Sequence, residues 1–462
     1  MKRHSLLRII LLAGISFALF SCNSSRHFDR DSLDMEDIYG SAAADTLNSA
    51  DLAWQDFFGD PQLKILIDEA LTNNLDLQVA VKRIEQAEAY FSQSKAALLP
   101  SLSVAGQATY VRNSESVYPN GPREANGYQL MGSSSWEIDI WGKLRSAKRA
   151  AYANLLQSDA GYKAVQTALV ANLATAYYNL VALDEQERIT KETVKNNIDL
   201  VETMKALQAS GRVTGAAVVQ SEASRYAAEV TIPDLEQQIV ETENTICLLL
   251  GRTPGTVVRS GLNEQTVPGV MHTGVPAQLL DNRPDVMQAE FAVISAFETT
   301  NSARAYFYPA LTISASGGFE AVDLKDLLDP GSFAANVLGG LTAPIFAKKS
   351  NSTRLKVAQA QQEEALLGLR SALLNSGAEV SNALASYKNV SDKMALRKLQ
   401  LDALDKSVEY TKELLLYGSA TYTEVLNAQQ SLLAAQLSEV NDHVQQLTAA
   451  LSLYKALGGG WK

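Results

Sequence analysis

What most restricts this chain is that it is written twice. Residues 76–102 align without a gap on residues 285–311, most clearly as SQSKAALLPSL (92–102) against NSARAYFYPAL (301–311). Further on, Ile140-Trp141-Gly142-Lys143 matches Ile345-Phe346-Ala347-Lys348, and Gly211-Arg212-Val213-Thr214 matches Gly418-Ser419-Ala420-Thr421. The offsets are 209, 205 and 207. A period near 207 is far too long for a solenoid and marks a tandem duplication of one large unit. Length alone, at 462 residues, suggests about three ordinary domains; the duplication replaces them with one unit used twice.

Each copy reads as helix, two strands, very long helix, tight turn and long helix. In the first, a helix over 75–99 stops at Pro100, whose ring cannot continue it. Strand-like runs cover about 101–112 and 128–141, separated by a Gly/Pro-bearing stretch. Residues 143–210 carry no Pro and one Gly, enough for a helix of about 100 Å. The turn from Gly211 to Gly215 leads into a helix over 216–250 in which Pro233 implies a kink. The second copy repeats this with a helix over 283–308, strands near 310–322 and 333–346, and helices over 350–417 and 422–457. The expected divisions are therefore a leader (1–21), an anchor and equatorial segment (22–75), a first repeat (76–250), a connector (251–282), a second repeat (283–457) and a tail (458–462).

Composition narrows the class. A mean hydropathy of −0.07 leaves no room for repeated apolar runs of about 20 residues, so membrane-spanning helices are excluded. The net charge of −11, with no basic cluster, argues against nucleic acid. Residues 1–22, MKRHSLLRIILLAGISFALFSC, combine a basic start with an apolar run too short to span a bilayer. The run ends at Ser21 and Cys22, as in a bacterial lipoprotein signal cut before a lipid-bearing cysteine. The alternative is an ordinary secretory signal with an incidental cysteine. Asn23 follows, so the usual bacterial rule does not retain the chain at the inner membrane. Cys247 lies in an apolar run and reads as a buried, inert thiol.

The long helices carry a heptad: Leu366, Leu373, Val380, Tyr387, Met394, Leu401, Val408 and Leu415. A sustained seven-residue apolar repeat imposes a left-handed supercoil. Its partner position is interrupted by Ser376, Arg397 and Thr411. The strands alternate. Leu102, Val104 and Tyr110 oppose Ser101, Ser103 and Thr109; Leu130, Trp136 and Ile138 oppose Gln129, Ser135 and Glu137; Leu311 and Ile313 oppose Thr312 and Ser314. Such alternation fits a half-buried sheet on a soluble core or a transmembrane barrel with lipid-facing apolar residues. Four strands cannot close a barrel, and an open edge in lipid leaves backbone groups unsatisfied. The barrel reading therefore requires several copies.

Three motifs in order on this frame resemble the outer-membrane efflux factors of the TolC family, in particular its lipidated OprM/NodT-like branch. They are Asn282-Arg283-Pro284-Asp285, the run Trp136-Glu137-Ile138-Asp139-Ile140-Trp141-Gly142-Lys143, and Leu416-Tyr417-Gly418 followed by Val425-Leu426-Asn427-Ala428-Gln429. The first copy adds Ser210-Gly211 before Val218-Val219-Gln220-Ser221-Glu222. The resemblance implies a mainly α protein with a transmembrane β-barrel: a long coiled-coil helical tunnel, plus four strands per chain completing a trimeric twelve-stranded barrel. It implies a passive homotrimeric conduit in the outer membrane, working with a periplasmic adaptor (membrane fusion) protein and an inner-membrane pump of the resistance-nodulation-division type. Its covalent group would be diacylglycerol and an N-acyl chain on Cys22. It assigns Gly211, Val213, Thr214, Gly418, Ser419 and Thr421 to the periplasmic tip and adaptor contact. Where the family often has Asp, this chain has Asn427, so Glu424, three residues earlier, is the other aperture candidate.

No catalytic or metal-binding pattern stands out. His4, His27, His272 and His443 are scattered, and no phosphate loop, nucleophile elbow or metal motif occurs. The sequence is read as a non-enzymatic channel for small molecules. A lipid-tethered periplasmic coiled-coil scaffold, and type I secretion or metal efflux through the same kind of channel, are the alternatives.

Overall fold

The structure, a computed structural model, describes residues 48–116, 123–266 and 279–462. The leader, Cys22, His27, His272 and much of the expected anchor and connector lie outside the described residues. The principal elements are α1 (Pro61–Asn73), α2 (Leu75–Ala96), β1 (Ser101–Arg112), β2 (Glu124–Ile138), α3 (Lys143–Ala209), α4 (Gly215–Glu229) and α5 (Thr231–Leu249). They continue with α6 (Pro284–Ala305), β3 (Ala310–Ala321), β4 (Phe333–Thr342), α7 (Ser350–Leu416) and α8 (Tyr422–Ala456). α3 and α7 are each 67 residues long, about 100 Å at 1.5 Å per residue. No helix of the described residues is long and apolar enough to cross a membrane.

The copies match element by element, with a correction to one alignment. α2 and β1 recur as α6 and β3 at an offset of 209, while α3 recurs as α7 at 207. Leu102 lies opposite Ser134, and its counterpart Leu311 lies opposite Leu341, so β2 and β4 are also 207 apart. The offset of 205 read from Ile140–Lys143 against Ile345–Lys348 is not the structural one. Gly142 (φ 76) precedes α3 and Lys349 (φ 66) precedes α7, and each carbonyl accepts from the amide four residues on, Ser146 or Thr353. Strand bounds also shift: β2 spans Glu124–Ile138 rather than 128–141, and β4 stops at Thr342 rather than 346. β4 runs out because Thr342 pairs with Ala310, the first residue of β3, and because Pro344 has no N–H to offer a ladder. The expected kink at Pro233 is instead a helix break at Val230, which leaves Pro233 in the first turn of α5, where a proline is tolerated.

Two compact units divide these elements. One contains Arg83–Ser158 and Gln288–Leu369, and holds a four-stranded antiparallel sheet, ordered β1-β2-β3-β4. Asp139 accepts from the Leu144 and Arg145 amides (3.1 and 2.9 Å), placing a carboxylate on the unpaired N–H groups at the start of α3. Trp141 donates to the Pro309 carbonyl (2.7 Å) and stacks on Tyr308, tying the end of β2 to the start of β3. Arg149 on α3 grips buried Glu298 on α6 through two nitrogens, at 2.6 and 2.9 Å.

The other unit contains residues 48–82, Asp159–Met287 and Arg370–Lys462 among those described. Its core packs Phe57, Ile67, Leu173, Tyr177, Tyr178, Ile246, Leu250 and Tyr454. Beside it, the Asp60 carboxylate, 3% exposed, accepts from the Gln62 amide and from Tyr177, Ser260 and Gln265 side chains at 2.5–2.9 Å. Burial alone would raise its pKa, but those four hydrogen bonds hold it below the usual carboxylate range. Arg283, also buried, pairs with Asp285 (2.7 Å) and Glu379 (2.8 Å) and donates to the Ala456 carbonyl. Arg283 and Asp285 flank Pro284 at the start of α6, and the guanidinium also reaches α7 and α8. The polar interruptions of the α7 heptad are satisfied individually. Ser376 and Thr411 donate to carbonyls one turn back, Ala372 and Ser407, while Arg397 pairs with buried Asp442 on α8 (2.8 Å).

Candidate functional site

Two features are the candidates for function: the faces of the sheet and the turns between the long helices. Directly opposed residues of an antiparallel pair share a face. Leu102, Val104 and Tyr110 lie opposite Ser134, Gly132 and Asn126. Leu130, Trp136 and Ile138 lie opposite Phe319, Ile313 and Leu311, which brings all eight expected apolar-face residues onto one side of the sheet. β4 continues that side with Phe333, Val337 and Leu341, opposite Phe319, Ala315 and Leu311. The reverse side carries Ser103, Ser133, Ser316 and Asn336 in one row across all four strands. There Ser103 and Ser133 hydroxyls meet at 2.8 Å. Leu338, opposite Ser314, is an apolar exception on this side.

Neither face of β1 is packed: all twelve of its residues are exposed, Leu102 by 81% and Val104 by 73%. A half-buried sheet on a soluble core would hide its apolar side, so that reading fails within the chain. β1 and β4 are moreover edge strands.

The two turns share one backbone design. Gly211 and Gly418 both have φ 74, the left-handed conformation that glycine adopts without strain. In the first, the Gly211 and Arg212 amides donate to Gln208 and Leu207 carbonyls; in the second, Gly418 and Ser419 donate to Leu415 and Leu414. This crossed pair closes both helices as Schellman motifs. Thr214 and Thr421 then begin the returning helices as N-caps. The turns are neighbours, since Tyr422 donates to Gln220 at 2.9 Å. An open groove of about 720 Å³ lies between them, lined by Leu207, Arg212, Val213, Leu415, Tyr417 and Tyr422 among others. Beneath it Leu200, Met204, Val218, Leu415, Val425 and Leu426 form a small apolar core. Six expected tip residues are thus brought together, and Arg212, Tyr422 and Gln220 join them.

The aperture candidates lie on the exposed side of α8's first turns. Glu424 is engaged locally: its carboxylate accepts from the Thr421 amide (2.6 Å) and hydroxyl (3.1 Å), forming a capping box. Thr421-x-x-Glu424 was a legible signature for this. The first turn has Ala217 at the equivalent position, and Thr214 makes no side-chain cap. Among the described residues the Asn427 side chain has no hydrogen-bond partner, and no group of His, Cys, Asp and Glu there could hold a metal ion.

The family profile described as "Outer membrane efflux protein" matches residues 66–252 and 275–459, one stretch for each copy. The chain belongs to this family. Family members are efflux channels rather than enzymes, and the chain is accordingly the outer-membrane channel component of an efflux system. It is 27% identical over 457 residues to the cation efflux system protein CusC of Escherichia coli O6:H1 (strain CFT073), covering 97% of this chain and 98% of that one. It is 30% identical over 420 residues to the pyoverdine export outer membrane protein OpmQ of Pseudomonas putida KT2440, covering 89% of each. A crystal structure of CusC superposes with a TM-score of 0.85 at 25% identity, covering 95% of this chain and all of that one.

Proposed function

We propose that three copies of this chain close one twelve-stranded barrel in the outer membrane and form a passive conduit for small molecules. A lipid on Cys22 anchors each copy. A periplasmic adaptor docks at the turns around Gly211, Val213, Thr214, Gly418, Ser419 and Thr421, and joins the conduit to an inner-membrane pump of the resistance-nodulation-division type. The carrying observation is a sheet with one mainly apolar face, one hydroxyl-lined face and two unpaired edges. In lipid such edges must be closed, and closure by copies of the same chain turns the hydroxyl face inward as a wet lumen. The same observation disfavours a lipid-tethered scaffold, which has no use for a lipid-facing side. Relatives named for cation efflux and for pyoverdine export match at similar identity, which supports cargo being chosen by the pump.

The reading is tested by the mass of the detergent-extracted protein together with single-channel recording. A trimer giving discrete conductance is expected; a monomer without bound detergent removes the reading. Cys22→Ser is expected to abolish metabolic labelling with palmitate while leaving the trimer intact. Labelling that persists in the variant refutes the anchor.

At the aperture, Glu424 supplies the negative charge that Asn427 lacks. Glu424→Gln keeps a residue able to complete the capping box while removing the charge. Cation preference in planar bilayers is expected to fall several-fold with the folded trimer unchanged. Unaltered ion selectivity would leave Glu424 a helix cap only.

A further inference from the structure

We propose that β4 of one copy pairs antiparallel with β1 of a second copy in a register dictated by the internal duplication: Leu341 opposite Gly106, Gly339 opposite Ala108, and Val337 opposite Tyr110. This rests on the multi-copy barrel proposed above and goes beyond it by naming which residues meet.

The register follows from the one junction between repeats that the chain already contains. β2 of the first copy pairs with β3 of the second, with Ser134, Gly132 and Leu130 opposite Ala315, Gly317 and Phe319. The counterparts of Ser134, Gly132 and Leu130 in β4, 207 residues on, are Leu341, Gly339 and Val337. The counterparts of Ala315, Gly317 and Phe319 in β1, 209 residues back, are Gly106, Ala108 and Tyr110. Repeating the internal junction between chains therefore leaves no free choice of register.

Three further observations agree with it. The pairing sets apolar side against apolar side, so the lipid-facing surface runs on across the junction. The hydroxyl side continues as well, with Gly340 opposite Gln107 and Thr342 opposite Ala105. A slip of one residue would invert one strand's faces. The side chains concerned are unpacked within the chain: Val337 is 78% exposed, Leu341 66% and Tyr110 61%. Finally, neither edge is protected. β4 has no charge and no proline, and β1 carries a charge only at its last residue, Arg112. Soluble proteins blunt such edges to prevent strand addition; here a strand is required.

Slips of two residues in either direction preserve the faces, so the test must separate those. Directly opposed Cβ atoms lie about 5 Å apart and diagonal ones about 7–8 Å, while a disulfide needs about 3.5–4.5 Å. Paired substitutions are compared by mild oxidation in outer-membrane preparations and non-reducing gels. Gly339→Cys with Ala108→Cys is expected to cross-link chains at least fivefold more than Gly339→Cys with either Gly106→Cys or Tyr110→Cys. Leu338→Cys with Thr109→Cys repeats the comparison on the hydroxyl side. Adjacent ladder rungs alternate between wide and close spacing, so one of the two expected pairs is the close one. A stronger product from either shifted pair overturns the register. Absence of any cross-link in a chain that still runs as a trimer overturns the edge pairing and leaves the trimer standing. A chain that runs as a monomer overturns both.

Discussion

Ala315→Arg is expected to prevent the chain from accumulating as a trimer in the outer membrane, whereas Ser316→Arg, one residue further on, is expected to assemble normally. Ala315 lies mid-strand opposite Ser134 and Val337 on the apolar side; Ser316 lies opposite Ser133 and Asn336 on the hydroxyl side. An arginine facing lipid near the bilayer midplane costs about 2–4 kcal/mol in a transmembrane barrel, and a three-copy barrel meets that cost three times. An arginine facing a wet lumen meets none of it. Ser316→Arg instead adds three positive charges to the passage, so its conductance and its preference for cations are expected to fall. The measurement is the amount of SDS-resistant trimer in outer-membrane fractions, with conductance for the variant that assembles. Equal assembly of both variants would mean that the apolar side does not meet lipid.

The second large effect lies in the other unit. Asp60→Ala removes the acceptor shared by Tyr177, Ser260, Gln265 and the Gln62 amide. Orphaning a buried donor costs about 1–3 kcal/mol. With the Asp60 and Gln265 side chains buried and Tyr177 fully so, a loss of about 3 kcal/mol is expected in denaturant unfolding. The effect has a pH signature. Because the Asp60 carboxyl titrates below its ordinary value of 3.8 in the folded chain, its stabilisation is complete above that value. It is lost as the pH falls through the lowered folded value. The stability difference between wild type and Asp60→Ala should therefore stay level from neutrality down to about pH 5 and shrink only in stronger acid. A difference that shrinks already near neutrality would mean that Asp60 is not held ionised by its donors.

Periodic features were legible in the chain, and cooperative ones were not. The alternation of Leu102, Val104 and Tyr110 fixes a face without knowledge of the partner strand, because side chains point to opposite sides with a period of two. The glycines at 211 and 418 announce turns because left-handed backbone favours that residue. The start of β2 is not legible because Glu124, Asn126 and Gly127 have little intrinsic strand preference; they are extended because Arg112, Tyr110 and Thr109 lie opposite. Ile140–Lys143 matches Ile345–Lys348 two residues out of the structural register because an Ile, an aromatic and a Lys recur there at the same spacing, while the backbone keeps an offset of 207 on either side, from β2 to β4 and from α3 to α7. The Asp60 cluster joins positions 60, 177, 260 and 265, and no local pattern links residues up to 205 apart. Thr421 and Glu424 show the opposite case, since a capping box is a local pattern that four consecutive residues spell out.

The two turns, alike in backbone, differ in what they offer a visitor. The turn at Gly418 leads into a helix whose first residues are clasped by Glu424, while the turn at Gly211 leads into one with no such clasp. In a ring of three chains the two kinds would alternate, giving six footholds of matching shape but only three of matching charge. A partner that grips the backbone outline would bind six times. One that reads the carboxylate would bind three times, so counting bound copies, with and without Glu424→Gln, distinguishes recognition by shape from recognition by charge.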